Sequence, residues 1–287
     1  MVSKNLFLSV MREGMLSSIS LIQEHAGLQK SDIDRKSDGS YVTVLDREIE
    51  SIFLRLAGDR FPDTPVLAEE SSALCDEASR ENWVGNFFSS NYQIVLDPVD
   101  GTRNFIEGKR EYCIAVALTK QVGEGIWPLI GMVAVPEEHA LYWNTGEAAF
   151  KEDLQSGEII KLQSNISEPE QFSVNSKDRQ WAKESGLGFK LPWNSSGSSV
   201  YDFLGTVTGR NRGSLVGSQR LWDLMAPLSI ALVSDCELID VATGQLVTSI
   251  GREEVAIDSP EASWGLKRRF MLLRRGDGLS QFLASCK

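Results

Sequence analysis

Apolar residues Leu8, Met11, Met15, Ile19 and Ile22 recur at three- and four-residue steps, which predicts one face of an amphipathic helix. Ser3 is placed to cap its start and Gly27 to end it. The same spacing in Ile49, Ile52, Phe53 and Leu56 predicts a second helix over residues 46–58. Between them, residues 30–41 are polar and turn-rich and are expected to be mobile. Short apolar runs follow at residues 65–68, 92–96, 114–119, 129–135 and 140–143. They succeed one another without long helices, which predicts a largely antiparallel sheet.

From about residue 173 the texture changes. A strand at 172–174, a helix at 176–185, and a helix carrying Val200, Phe203, Leu204 and Val207 come first. A strand at 214–216, a helix at 224–233 and closing strands at 237–240 and 270–273 follow. Such alternation indicates an α/β layer. Ser164, Asn165, Ser167, Glu168 and Pro169 cluster at a soft boundary, dividing an N-terminal α+β unit (1–170) from a C-terminal α/β unit (171–287). There is no internal repeat and no low-complexity stretch.

The 287 residues are 42% hydrophobic and 24% charged, ordinary for a globular protein. The net charge of −11 argues against coating a nucleic acid polymer or docking on anionic membranes. It does not exclude an anionic substrate, because a bound metal inverts local charge. Cys75, Cys113, Cys236 and Cys286 lack C-x-x-C spacing and are expected to be free thiols. His25 and His139 are expected to be structural or exposed. Lys4, Arg12, Glu13 and Glu24 interrupt the apolar N-terminus, so no secretory leader is expected. The longest apolar runs, 126–135 and 224–233, fall well short of the roughly 20 residues that span a bilayer. A cytoplasmic location is the expectation.

Residues 97–102 read Asp-Pro-Val-Asp-Gly-Thr after an apolar strand. A tight turn there aims Asp97 and Asp100 at one point, and Gly101 lets backbone N–H groups approach an anion. Two such carboxylates repel unless one is protonated or a cation lies between them. All-oxygen donors select a hard ion, Mg2+ before Mn2+ or Ca2+. Glu69-Glu70, Trp222-Asp223 at a helix head, and the run from Lys36 through Thr43 to Asp46 are individually weak signals.

Together these features resemble the lithium-sensitive, Mg2+-dependent phosphomonoesterases typified by inositol monophosphatase, which include bisphosphate nucleotidases and a histidinol phosphatase branch. The match runs through residues 97–105 (DPVDGTRNF), 68–71 (AEES), Trp222-Asp223, residues 36–46, and Gly197-Ser198-Ser199. The resemblance implies a layered α-β-α-β-α sandwich with a mainly antiparallel N-terminal sheet and a mixed C-terminal sheet. It implies that Glu69, Asp97, the Val99 carbonyl, Asp100 and Asp223 hold two or three Mg2+ ions, with Asp97 bridging two. It also implies that Mn2+ substitutes and that Li+ and Ca2+ inhibit.

Asp46 and Thr102 would then orient and deprotonate the attacking water, with Glu69 beside them. Asp100, Gly101, Thr102, Gly197, Ser198, Ser199 and Asp223 would contact substrate, a small phosphate ester, and Lys36 would help close the site. No covalent enzyme intermediate is expected, and a homodimer is. Where inositol-specific members carry a Glu, seven residues before the Trp-Asp acid, this chain has Val216, which argues against inositol 1-phosphate. A 3′-phosphoadenosine 5′-phosphate nucleotidase and a non-catalytic phosphate-binding regulator are the alternatives. Asp202 is expected to face solvent, Trp193 and Trp264 to pack, and the basic cluster from Lys267 to Arg275 to flank a strand with solvated ends.

Overall fold

The computed structural model describes residues 2–25, 33–35, 41–71, 77–162, 171–185, 192–257 and 264–275. Gly27, Lys36, Cys75, Cys286 and the boundary cluster at 164–169 lie outside the described residues. The chain opens with α1 (Lys4–Glu24), whose first turn is capped by the Ser3 hydroxyl as expected. A hairpin of β1 (Ile33–Arg35) and β2 (Tyr41–Thr43) leads into α2 (Val44–Arg60). Next come β3 (Val66–Ala68), α3 (Glu77–Ser89), β4 (Tyr92–Asp100) and the short α4 (Thr102–Ile106). Five strands follow: β5 (Cys113–Val122), β6 (Gly125–Val135), β7 (Ala140–Asn144), β8 (Ala149–Asp153) and β9 (Ile159–Lys161).

The second half holds β10 (Phe172–Ser173), α5 (Ser176–Glu184), β11 (Trp193–Asn194), α6 (Ser199–Thr208) and β12 (Gly213–Val216). It closes with α7 (Leu221–Leu232), β13 (Cys236–Asp240), β14 (Ile250–Gly251), β15 (Val255–Ala256), β16 (Gly265–Leu266) and β17 (Phe270–Arg274). Strands β3 to β9 hydrogen-bond in chain order, with β14 added to β6. Only the β3–β4 pair of that run is parallel. The second sheet has the order β11-β10-β12-β17-β13 and is mixed.

Alternation along the strands assigns the cores. On β5, Ile114, Val116 and Leu118 pack under α1 and α2, while Cys113, Ala115 and Ala117 face α6 and α7. On β17, Phe270 and Leu272 join that α6–α7 layer, whereas Met271 and Leu273 turn outward beneath Trp181 of α5. The layers are therefore α, β, α, β, α, as the resemblance implies. Strands buried on both faces read as continuous apolar runs rather than alternating ones.

Two sequence expectations change. The region before β7 does contain a long helix, α3, anchored by buried Val84, Phe87 and Phe88 at helical spacing. That apolar set spans barely more than one turn, too little to stand out in a polar segment. Helix α7 begins at Leu221 rather than 224, so Trp222 and Asp223 lie inside its first turn. It packs against β6 at Gly131, where an added Cβ would collide with the Ser229 hydroxyl and the Ala226 carbonyl. This close approach leaves no room between the large sheet and α7, the helix that carries Asp223.

Candidate active site

Asp97 and Asp100 are three residues apart on β4. Strict alternation would send them to opposite faces. A β-bulge prevents this: Asp97 pairs with Ala115 but Asp100 with Cys113, so the register slips between them. Pro98, which has no N–H to give a ladder, sits in the slip. Gly101 then takes φ 87° and starts α4; a Cβ there would press on the Glu111 carbonyl and on Ser198 Cβ, both at 3.0 Å.

The other acids arrive from separate elements. Glu69 follows β3 and its N–H donates to the Leu96 carbonyl at 3.2 Å, which places it beside Asp97. Asp223 is the third residue of α7 and accepts the Arg220 N–H at 2.9 Å, so Arg220 rather than Asp223 is the helix cap. Carboxylate oxygens of Asp97, Asp100 and Asp223 lie within 4.8 Å of one another. Asp100 also accepts the Ser198 hydroxyl and the N–H groups of Ser199 (3.3 Å) and Val200 (2.8 Å) at the start of α6. Helix α6 is thus docked onto the acid cluster.

Burial, and then the charge of Asp223, pushes the Asp100 carboxyl well above the usual carboxylate range. Burial pushes Asp223 up to about 6; the Arg220 N–H works against this and the charge of Glu69 adds to it. Crowded, buried, mutually repelling carboxylates are the signature of a site completed by a cation. The donors are all oxygen, which fits Mg2+.

Beside the acids stands a second pair. The Thr102 hydroxyl lies 3.1 Å from Oδ1 of Asp46 and 3.0 Å from the Val99 carbonyl oxygen. Oδ2 of Asp46 accepts the Thr43 N–H at 2.9 Å and the Thr43 hydroxyl, forming a capping box at the head of α2. Asp46 is fully buried, and burial pushes it up to about 6 against the Thr43 hydrogen bonds.

Glu69, Asp97, Val99, Asp100, Gly101, Thr102 and Asp223 line one cleft of 880 Å³ that continues through Gly197, Ser198 and Ser199 to Asn175, Arg179 and Trp193. Asp202 departs from expectation. It is 6% exposed, faces the cleft and accepts the Ser196 N–H at 3.2 Å, with its carboxyl raised by burial. Trp264 does pack, in a cluster with Trp83 and Phe87, but half-buried Trp193 lines the cleft. Val216 points into the core and Leu215 faces the cleft, so no acid stands at the position considered for inositol recognition. The basic cluster is engaged rather than merely solvated: Arg268 pairs with Asp240 and with Glu254 (2.9 Å), and Arg269 lies over Trp181 and 3.4 Å from Asp178.

Some supporting residues carried a sequence signal. Thr43 stands three before Asp46, the spacing of a capping box. Asn104 belongs to the 97–105 motif, and its amide donates to the carbonyls of Glu111 (2.6 Å) and Ser196 (2.8 Å), tying the two halves of the site together. Glu50, which accepts the Glu70 N–H at 2.8 Å and so braces the Glu69 segment, had none.

The inositol monophosphatase family model matches residues 8–262. The chain belongs to the inositol monophosphatase family. It is 24% identical over 259 residues to the inositol-1-monophosphatase of Synechocystis, covering 86% of this chain and 85% of that one. It is 29% identical over 163 residues to a fructose-1,6-bisphosphatase/inositol-1-monophosphatase of Aquifex aeolicus (56% of this chain, 54% of that protein). With a 3′(2′),5′-bisphosphate nucleotidase of Salmonella typhimurium it shares 31% over 134 residues (47% and 49%). The matched stretch spans about half the length of these last two relatives.

Among solved structures, a Thermotoga maritima IMPase superposes with a TM-score of 0.68 at 19% identity, covering 99% of this chain and 97% of that one. An IMPase/NADP phosphatase solved with Mg2+ and phosphate gives 0.71 at 18%, covering 98% and 95%. Members of the inositol monophosphatase family hydrolyse phosphate monoesters. Among the described residues, no helix is long and apolar enough to cross a membrane.

Proposed function

We propose that this chain is a Mg2+-dependent phosphomonoesterase acting on a small sugar, polyol or amino-alcohol phosphate. The observation that carries the reading is the convergence of Asp97, Asp100 and Asp223 within 4.8 Å, next to the Thr102–Asp46 contact. Glu69, Asp97, the Val99 carbonyl, Asp100 and Asp223 would hold two or three ions. Bound there, Mg2+ neutralises the acids, offsets the phosphate charge and makes water a usable nucleophile near neutral pH. The solved relative carrying Mg2+ and phosphate supports the choice of ion.

The residues have distinct tasks in this reading. The Thr102 hydroxyl orients the attacking water and Asp46 takes its proton, held in place by the two Thr43 bonds. Gly101, Gly197 and Ser199 frame the phosphate. Ser198 is not a nucleophile: its hydroxyl donates to Asp100 and accepts the Tyr201 N–H. This supports the reading in which water attacks in line, without a covalent enzyme intermediate. Residues 1–170 supply Glu69, Asp97, Asp100 and the base, and residues 171–287 supply Asp223 and the leaving-group wall. Mn2+ replaces Mg2+, Li+ and Ca2+ inhibit, and the enzyme works as a cytoplasmic homodimer.

The test is phosphate release with and without Mg2+ from inositol 1-phosphate, histidinol phosphate, fructose 1,6-bisphosphate and 3′-phosphoadenosine 5′-phosphate. Turnover of at least one, abolished by chelation, is expected; none with metal bound would overturn the reading. Trp193 in the cleft favours one second reading, hydrolysis of 3′-phosphoadenosine 5′-phosphate, which predicts a clear preference for that compound.

A further inference from the structure

The cleft has an end that the acids and the Thr102–Asp46 pair do not use. Its lining takes in Asp223, Gln219 and Ser218 and the first turn of α5. That turn is fastened to the Asp223 arm: the Asn175 amide donates to Ser218 Oγ at 2.9 Å, and Ser218 N–H donates to Asp178 at 3.2 Å. Two cations, Lys177 and Arg179, enter the cleft from this turn.

Neither cation has a carboxylate partner among the described residues. The nearby acid, Asp178, is wholly buried and turned away, bound by Asn175 and Ser218 and facing Arg269 at 3.4 Å. The Arg179 guanidinium rests 5.4 Å from the centroid of Trp193, and its Nε is enclosed without a hydrogen-bond acceptor. A stacked guanidinium has restricted freedom, so less order is lost when it grips an anion. A lysine in the first turn of a helix also stands against the helix dipole. Both placements serve an incoming anion better than they serve stability.

We infer that Lys177 and Arg179, with Arg179 braced on Trp193, form a subsite for a second anionic group on the leaving-group side of the substrate. The inference rests on the phosphatase reading and narrows it to esters bearing a further phosphate or carboxylate. A neutral polyol would leave the two cations without partners.

Matched pairs test this and separate the two sources of charge. Fructose 1,6-bisphosphate against fructose 1-phosphate tests a second phosphate; 3-phosphoglycerate against glycerol 3-phosphate tests a carboxylate. The wild type should favour the member carrying the additional anionic group in at least one pair in kcat/KM. In Arg179→Gln or Lys177→Gln that preference ratio should fall roughly 10- to 100-fold, the range of a charge-assisted hydrogen bond, and Arg179→Lys should keep part of it. Equal handling of both members of both pairs by the wild type, or a ratio unmoved by Arg179→Gln, overturns the subsite while leaving the phosphatase reading intact.

Calorimetric binding of the two fructose phosphates to the Asp46→Asn protein gives a readout independent of turnover. If no ester is hydrolysed yet the bisphosphate binds more tightly and Arg179→Gln removes the difference, the subsite stands and the phosphatase reading falls.

Discussion

The Thr102 hydroxyl lies 3.1 Å from Oδ1 of Asp46, joining residues 56 positions apart at the edge of the acid cluster. Thr102 starts α4 directly after the bulged β4, and Asp46 lies in the first turn of α2. Their meeting depends on both α2 and the large sheet being in place.

If this pair handles the proton of the attacking water, Thr102→Val should lower kcat by about 10²–10⁴ with little change in Mg2+ affinity, and Thr102→Ser should retain most of it. Steady-state rates beside calorimetric Mg2+ titration distinguish this from loss of metal. Equal activity in Thr102→Val and wild type would remove Thr102 from the mechanism.

The raised pKa of Asp46, about 6 from burial, has a definite consequence for pH. Between about 4 and 6 the folded carboxyl keeps a proton that the unfolded chain has released. Its contribution is fully present below about 4 and is lost as pH rises through 6, on the order of 3 kcal/mol. The Tm of metal-free protein is therefore expected to fall from pH 5 to pH 7, and that of Asp46→Asn to fall less. Activity has the opposite slope, because the base must be ionised: kcat/KM should drop on the acid side with a midpoint at or below about 6. Differential scanning calorimetry and a pH–rate profile read the two effects separately.

Asp97 is 1% exposed and shares its space with Asp100 and Asp223. Asp97→Asn removes one of the crowded acids without changing shape. At pH 7 the metal-free variant should melt several degrees higher than wild type, at about 2–4 °C per kcal/mol, while losing the Tm rise on adding Mg2+ and at least 10³-fold in rate. A variant that melts lower without metal and still gains from Mg2+ would contradict the assigned role of this carboxylate.

Gly131 links the fold to the site. Gly131→Ala would force α7 away from β6, costing about 1–3 kcal/mol or more, and would shift Asp223 with it. Chemical denaturation should show the loss, and Mg2+ affinity should weaken although residue 131 touches no acid of the cluster. Unchanged Mg2+ affinity in a folded Gly131→Ala protein would show that α7 height does not set the site.

The acids of the site were legible because the chemistry needs particular residue types close together in the chain. Asp97, Pro98, Asp100, Gly101 and Thr102 form one short local turn, and the capping spacing of Thr43 and Asp46 is equally local. The paired helices and the two-layer change of texture were legible as well, because amphipathic periodicity reports burial on one face. Helix α3 was missed, its apolar face being too short to rise above the surrounding polar residues.

What the chain alone left open were relations between distant segments. The meeting of Asp97 and Asp100 was expected from a tight turn, but the device that delivers it, a bulge in the β4–β5 register, was not. Asp202 looked like a solvated helix residue, yet the segment holding Ser196 folds over it. Glu50 bracing Glu70, and Arg179 resting on Trp193, had no local pattern at all. Short-range periodicity determined most of the elements, and turn chemistry the pairing of Asp97 with Asp100. Only tertiary packing, which sets which charges lose water and which keep a partner, decided the protonation of the acids and the cationic end of the cleft.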